Sequence, residues 1–167
     1  MEIKQIETFL SYYEKTRLAT IKVIEVIPHD KLDWAYLPGK FTIADIVRHI
    51  AAIERNVFGE VALGNKPNYK GCRKDLADGY ENMLSYFNEM HAQTIAILKP
   101  LSDDSLKRRI KSLDGSEVEL GNFLRALVLH EIHHRAALCI YLNLLGVVTP
   151  PILGLMEEQV IELSKQK

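Results

Sequence analysis

Apolar residues recur every three or four positions along most of the chain, which is the spacing of amphipathic α-helices rather than of strands. The first stretch predicts a helix over Ile3–Ile27, which Pro28 ends. The second predicts a helix from Ile43 to about Leu63, and Thr42 with Asp45 three positions later predicts a capping box at its start. Two long helices with one apolar face each therefore open the chain.

Two further long helices are predicted downstream. The third has an apolar stripe from Leu76 to Leu98, and Asp75 or Asp78 is the expected cap. The fourth begins near Gly121 and runs to Leu145, after which Gly146 can take the left-handed conformation that ends a helix. Four amphipathic helices of this length pack as a bundle.

The remaining segments are shorter. Residues 109–111 and 118–120 flank Asp114-Gly115, which predicts a short hairpin between the third and fourth helices. Pro150 or Pro151 is expected to open a short fifth helix that fades into Ser164–Lys167. The predicted fold class is all-α: a four-helix bundle with a short fifth C-terminal helix and a hairpin-like crossover, in a single domain over residues 1–167.

Composition narrows the function classes. The 167 residues are 47% apolar and 26% charged, with a formal net charge of −1, so we expect a globular protein without a nucleic-acid partner. Two cysteines exclude a disulfide scaffold and any metal site of four cysteines. The N-terminus alternates charged and apolar residues, and the longest apolar run falls short of the roughly 20 residues that cross a bilayer. We therefore expect a cytoplasmic protein with no membrane partner.

Three of the six histidines fall within five residues, and they are the first candidates for chemistry. His130 and His134 are four apart and share one helix face, the spacing at which two imidazoles can bind one metal ion. His49 lies on an apolar face of the second helix and is the best candidate for a third ligand. Three protein ligands leave a coordination position open, as in catalytic sites. Hydrogen-bonded core histidines are the alternative.

The other histidines fit a metal site less well. His133 lies one residue from the ligand face, where it would flank a ligand or support one from outside the coordination sphere. His29 follows the first helix and His91 lies in a polar stretch of the third, so both are expected to be solvated.

Residues 130–134 also match H-E-x-x-H, a zinc-protease motif in which the glutamate is the general base. Glu157 or Glu158 would then be the third ligand. Such proteases carry a substrate-binding sheet before the motif, and the short hairpin predicted before His130 does not amount to one, so we do not favour this interpretation. Glu131 could instead bond to the free ring nitrogen of a ligand or face solvent, and we expect it to face solvent because it lies about 100° around the helix from His130.

Three segments, residues 41–50, 114–120 and 129–135, resemble the DinB-like family of metalloenzymes, and the resemblance covers essentially the whole chain. It implies a four-helix bundle, frequently a homodimer, with one divalent metal ion, nickel or zinc. By position, the family's three histidine ligands are His49, His130 and His134. The family's motif continues Arg-Gly-Gln, whereas this chain reads Arg135-Ala136-Ala137 and lacks the glutamine.

The resemblance also implies a reaction. Characterised relatives are thiol-dependent transferases or isomerases, so we expect the metal to activate a low-molecular-weight thiol, or water, for attack on a small electrophilic substrate. Arg48, Arg135 and Tyr141 are candidates for binding an anionic thiol. The alternatives are a metal-dependent hydrolase and a non-catalytic, dimeric metal-binding bundle that acts in stress response.

Overall fold

A computed structural model describes residues 3–152 and 154–165, and it confirms the all-α prediction. Four long helical segments form a bundle, with a two-stranded hairpin between the third and the fourth. The helices are α1 (Ile6–Ile24), α2 (Ile43–Ile53), α3 (Glu60–Leu63), α4 (Tyr80–Leu98), α5 (Leu120–Leu144) and α6 (Glu157–Lys165); the strands are β1 (Arg109–Lys111) and β2 (Glu117–Glu119).

The second predicted helix is one unbroken rod over residues 43–63, hereafter the α2–α3 rod. The predicted capping box is present at its start: Thr42 Oγ1 accepts from Asp45 N at 3.1 Å, and the Asp45 carboxylate accepts from Thr42 N at 3.0 Å. Gly64 ends the rod in the left-handed conformation at φ 89°. The sequence pattern did not indicate the π-helical stretch over Glu54–Gly59 that joins α2 to α3.

Three helices start later than predicted. Helix α1 begins at Ile6 rather than Ile3, and it ends at Ile24 rather than Ile27. Helix α4 begins after Gly79, which has φ 82°, and neither Asp75 nor Asp78 caps it. Leu76 instead lies in a 3₁₀ turn before the helix. Helix α6 begins at Glu157, well after the two prolines, and its side chains are exposed. Of the predicted fifth helix, residues 166 and 167 lie outside the described part of the chain.

The crossover hairpin is present. Strands β1 and β2 pair antiparallel with Ile110 opposite Val118, so β2 starts one residue earlier than expected. Asp114 closes the turn by accepting from the backbone N–H of Ser116 at 3.0 Å. The hairpin therefore leads the chain directly into α5.

The bundle core contains two apolar clusters with charged side chains between them. One cluster joins the start of α1 to the start of α5, and the other joins the end of α1, α2 and the end of α5. Midway along each long helix, between the positions that build these clusters, lie polar side chains that are buried or half-buried. We call this set the polar layer: Arg17, Thr20, Glu54, His91, Glu131 and Arg135.

Within the described residues, no helix is both long enough and apolar enough to cross a membrane.

Candidate metal centre

The fold brings together the three histidines that are far apart in sequence. His49 comes from the α2–α3 rod, and His130 and His134 come from successive turns of α5. One ring nitrogen from each can be chosen so that all three lie within 4.8 Å of one another. The ring centroids of His134 lie 4.5 Å from those of both partners. Within the described part of the chain, these three histidines form the group whose ligand atoms lie close enough together to hold one metal ion.

One pair in this cluster has the spacing of two ligands on one ion. His130 Nε2 lies 3.1 Å from His49 Nε2. Imidazole nitrogens bind zinc at about 2.0–2.1 Å, which places neighbouring ligand nitrogens roughly 3.0–3.4 Å apart at octahedral or tetrahedral angles. The other ring nitrogen of His130, Nδ1, is buried and has no hydrogen-bond partner among the described residues. Nε2 is therefore the His130 nitrogen that faces the other histidines and is available to a metal ion.

The ring nitrogen of His49 that faces away from His130, Nδ1, has a hydrogen-bond partner. His49 Nδ1 lies 2.8 Å from the hydroxyl of Tyr69, which comes from the loop after the rod. If Nε2 binds a metal, Nδ1 carries the proton and donates it to the Tyr69 oxygen, which orients the ring. The sequence analysis missed Tyr69, because this loop has no periodic pattern that would place it beside the histidines.

The surroundings of all three rings favour the neutral form, which is the form that binds metal. Burial, with smaller contributions from the neighbouring histidines, lowers the pKa of His130 to about 3 and that of His134 to about 4. Burial also lowers the pKa of His49 below its usual value. Each of the three residues is nevertheless only half-buried.

The remaining histidines lie outside this cluster. His133 is exposed, with its ring edge-on to His134 at a centroid distance of 5.0 Å. His29 is exposed and stacks on Tyr80. The expectation that His91 is solvated was wrong: it is mostly buried, with Nδ1 at 2.7 Å from Glu54 and Nε2 at 3.1 Å from Glu14.

The expectation that Glu131 faces solvent was also wrong. Its side chain is fully buried, and it accepts from Thr20 Oγ1 at 2.6 Å. The 100° step from His130 points the carboxylate at α1, because α1 and not solvent covers that side of α5. A general base of the H-E-x-x-H type must reach a water on the metal, and this carboxylate instead bonds to α1. The motif's alternative ligands, Glu157 and Glu158, are exposed on α6.

The residues expected to bind an anionic thiol have other roles. The guanidinium of Arg48 is buried and donates to the carbonyls of Cys72 and Ala77, both at 2.9 Å, and to Asp45 at 2.7 Å. Arg48 therefore holds the loop before α4 against the rod. Arg135 is buried and donates to the carbonyl of Thr16, and Tyr141 packs edge-on against Trp34 and Tyr36.

Comparison with known proteins decides the family. A profile of the DinB superfamily matches residues 12–138, the region that holds the three histidines and most of the bundle. The chain belongs to the DinB superfamily. This membership agrees with the resemblance of its histidine segments.

Several DinB-like relatives span most of the chain. A Bacillus subtilis protein named Putative metal-dependent hydrolase YfiT is 25% identical over 145 residues, which cover 80% of this chain and 82% of YfiT. The YfiT structure, described as an unusual four-helix bundle, superposes with a TM-score of 0.69. A DinB-like protein of Bacillus cereus superposes with a TM-score of 0.74 at 19% identity, covering 89% of this chain and 97% of that chain.

A more distant structure has the same fold. A mutant of the mycothiol-dependent maleylpyruvate isomerase superposes with a TM-score of 0.59 at 13% identity, covering 88% of this chain and 65% of that chain. At this level of identity, the match shows a shared fold alone.

Proposed function

We propose that this DinB-superfamily protein binds one divalent metal ion through His49, His130 and His134 and uses it to activate a nucleophile against a small electrophilic substrate. The observation that carries the proposal is the 3.1 Å separation of the His49 and His130 Nε2 atoms, with His134 completing the cluster. The name of YfiT, a metal-dependent hydrolase, supports it.

The chain's own residues have defined tasks in such a site. Neutral imidazoles supply three ligand nitrogens, and Tyr69 orients the ring of His49. Phe41, whose ring centroid lies 5.2 Å from that of His49, is partly exposed and provides an apolar wall beside the cluster. A bound divalent ion would supply Lewis acidity and lower the pKa of water or a thiol in the remaining coordination position.

The attacking group in this proposal is water or a thiol that enters as a substrate. Burial raises the pKa of both Cys72 and Cys139, which disfavours either as a protein thiolate. The hydrolase name of YfiT favours water. The family resemblance favours a thiol, so both are tested together.

The experiment uses metal-loaded protein and two sets of substrates. One set contains activated esters and amides, and the other pairs glutathione, mycothiol or bacillithiol with a chlorodinitrobenzene electrophile. Metal-dependent turnover that is lost in His134→Ala supports the proposal and identifies the nucleophile. No metal-dependent turnover in either set would favour the non-catalytic metal-binding bundle.

We propose zinc or nickel as the metal, because the family resemblance implies these two ions among the four (zinc, nickel, copper and iron) that three imidazoles suit. Elemental analysis of the protein as purified, compared with His134→Ala and with His29→Ala as a control, tests this choice. His29 is a matched control because it is a histidine that stacks on Tyr80 outside the cluster. Equal metal content in all three proteins would contradict the site.

We also propose that the protein is a cytoplasmic homodimer. Exposed apolar side chains on two neighbouring helices, such as Tyr12 on α1 and Leu129 on α5, line a groove of about 580 Å³ that suits a protein contact. The apolar C-terminal segment over residues 150–155 is a second candidate contact surface, and its residue 153 lies outside the described residues. Sedimentation velocity at micromolar concentration tests the dimer, and a monomer there would contradict it.

A further inference from the structure

Each of the two proposed ligands on α5 is followed by a buried charged residue. Glu131 follows His130, and Arg135 follows His134, with exposures of 0% and 7%. Both charged residues belong to the polar layer. Helix α5 therefore presents ligands on one face and, about 100° further round, a charged pair with the same spacing of four.

Helix α1 supplies no proposed ligand, yet it bonds to this charged pair and to the rod. Thr20 Oγ1 donates to Glu131 at 2.6 Å, and Arg135 Nη1 donates to the carbonyl of Thr16 at 3.0 Å. Arg17 Nη1 lies 3.0 Å from Glu54 of the rod and 3.5 Å from Glu131. Directional bonds thus run from one helix to both elements that carry the histidines.

The fourth long helix joins the same network. Arg17 Nη2 donates to the carbonyl of Phe87 on α4, and its guanidinium carbon lies 3.2 Å above the centre of that ring. His91, also on α4, bonds to Glu54 at 2.7 Å. All four long helical segments of the bundle therefore meet at the polar layer, at the level of the histidine cluster.

Stability alone does not account for buried charges here. Replacing a buried ion pair with apolar residues of similar volume often leaves a protein as stable or more stable. Apolar contacts are non-directional, however, and do not by themselves fix how far a helix is rotated about its axis. A rotation of about 10° would move a ring nitrogen that lies roughly 7 Å from the axis by about 1 Å. Metal ligands tolerate errors of only about 0.5 Å.

We propose that Arg17, Glu54 and Glu131 are positioning residues for the metal centre. They set the rotation of the α2–α3 rod and of α5, and so hold His49 and His130 at the spacing that one ion requires. This inference rests on the proposed function, because it needs a metal at the three histidines.

Two threonines allow a matched test. Thr20 and Thr94 are both fully buried on long helices, and each hydroxyl oxygen lies near the carbonyl four residues before it, at 3.2 Å and 2.9 Å. Thr94 donates its hydroxyl proton to that carbonyl, whereas Thr20 donates its single hydroxyl proton to Glu131 of the polar layer, the nearer acceptor at 2.6 Å. Zinc affinity, measured by competition with a chromogenic chelator, is expected to fall about tenfold in Thr20→Val and to be unchanged in Thr94→Val.

The visible spectrum of cobalt-loaded protein supplies a readout of ligand geometry that a loss of stability alone would not change. We expect Thr20→Val and Glu131→Gln to shift this spectrum and Thr94→Val to leave it as in wild type. If both layer variants lower the melting temperature but keep wild-type affinity and spectrum, the layer is structural only and the inference is overturned. If wild type itself binds neither zinc nor cobalt, the proposed function fails, which is a different result.

Discussion

Two faces of one helix can be compared directly. Helix α5 carries His130 and His134 on one face and Glu131 and Arg135 on the next, and both pairs have a spacing of four. The histidines are half-buried and converge with His49, whereas the charged pair is buried against α1. The difference arises from what covers each face, since a shift of one residue turns a side chain by about 100°.

The comparison teaches that a short motif does not define its chemistry. The letters H-E-x-x-H are present, but the glutamate bonds to α1 and serves the packing of helices. The histidines are only half-buried, in contrast to the fully buried glutamate. The proposed metal ligands and the proposed positioning residues thus occupy neighbouring positions, and variants can separate their effects.

The largest expected effect is a loss of stability when the polar layer is disrupted. Arg17→Met removes the cation between Glu54 and Glu131 and leaves two fully buried carboxylates, so unfolding should become easier by about 3–5 kcal/mol. Arg55→Met is the control, because its pair with Glu60 is partly exposed and should be worth only about 0–1 kcal/mol. Urea denaturation measures both, and equal losses would contradict the special role of Arg17.

Substitution of a proposed ligand should lower metal affinity. We expect His134→Ala to lower zinc affinity by at least about 100-fold, since loss of a direct ligand should exceed the effect of losing an outer hydrogen bond. Isothermal titration calorimetry on metal-stripped protein measures the change, with His29→Ala as a control. Wild-type affinity in His134→Ala would exclude this residue as a ligand.

A smaller loss of zinc affinity is expected when a residue bonded to a proposed ligand is changed. Tyr69→Phe removes the hydroxyl that lies 2.8 Å from His49 Nδ1, and zinc affinity should fall about tenfold. Tyr80→Phe is the matched control, because its hydroxyl is bonded to the carbonyl of Ile24 on α1. If both variants bind zinc equally, Tyr69 does not orient His49.

The smallest expected effect depends on pH, and the two regions should respond with opposite signs. Burial opposes protonation of His91, but the hydrogen bond and charge of Glu54 raise its pKa above 6.5. Protonated His91 therefore stabilises the fold below pH about 6.5, and this contribution is lost as pH rises through the raised pKa. The lowered pKa values of His130 and His134 make metal-free protein less stable as pH falls from about 6.5 towards 4.

Unfolding free energies of wild type and His91→Gln separate these contributions. The destabilisation caused by His91→Gln should be larger at pH 5.5 than at pH 8. A difference that is the same at both pH values would show that His91 does not bind its proton more tightly in the fold.

Much of the fold could be predicted because it depends on local pattern. The capping box of Thr42 and Asp45, the end of the rod at Gly64 and the turn at Asp114-Gly115 are encoded within a few residues. The starts of α4 and α6 could not be predicted in this way. A glycine in an unusual conformation precedes α4, and α6 begins six residues after the second proline.

In the candidate site, too, some features could be predicted from local pattern and others could not. The spacing of His130 and His134 follows from helix geometry, and His49 could be proposed as their partner from its apolar surroundings. Tyr69 could not be found, because it reaches His49 from an irregular loop. The roles expected for Glu131 and Arg48 were wrong, because α1 covers Glu131 and the loop before α4 covers Arg48.

The sequence by itself determined four amphipathic helices, their approximate order and the spacing that places His130 and His134 on one helix face, and it nominated His49 as their partner. Periodicity and spacing are local properties, so one chain read alone can supply them. Only the tertiary structure decided which helix covers each face of α5. As a result, the histidines are half-buried and the charged residues beside them are fully or almost fully buried. The sequence could not show this difference, because burial and hydrogen bonding depend on neighbours that are distant along the chain.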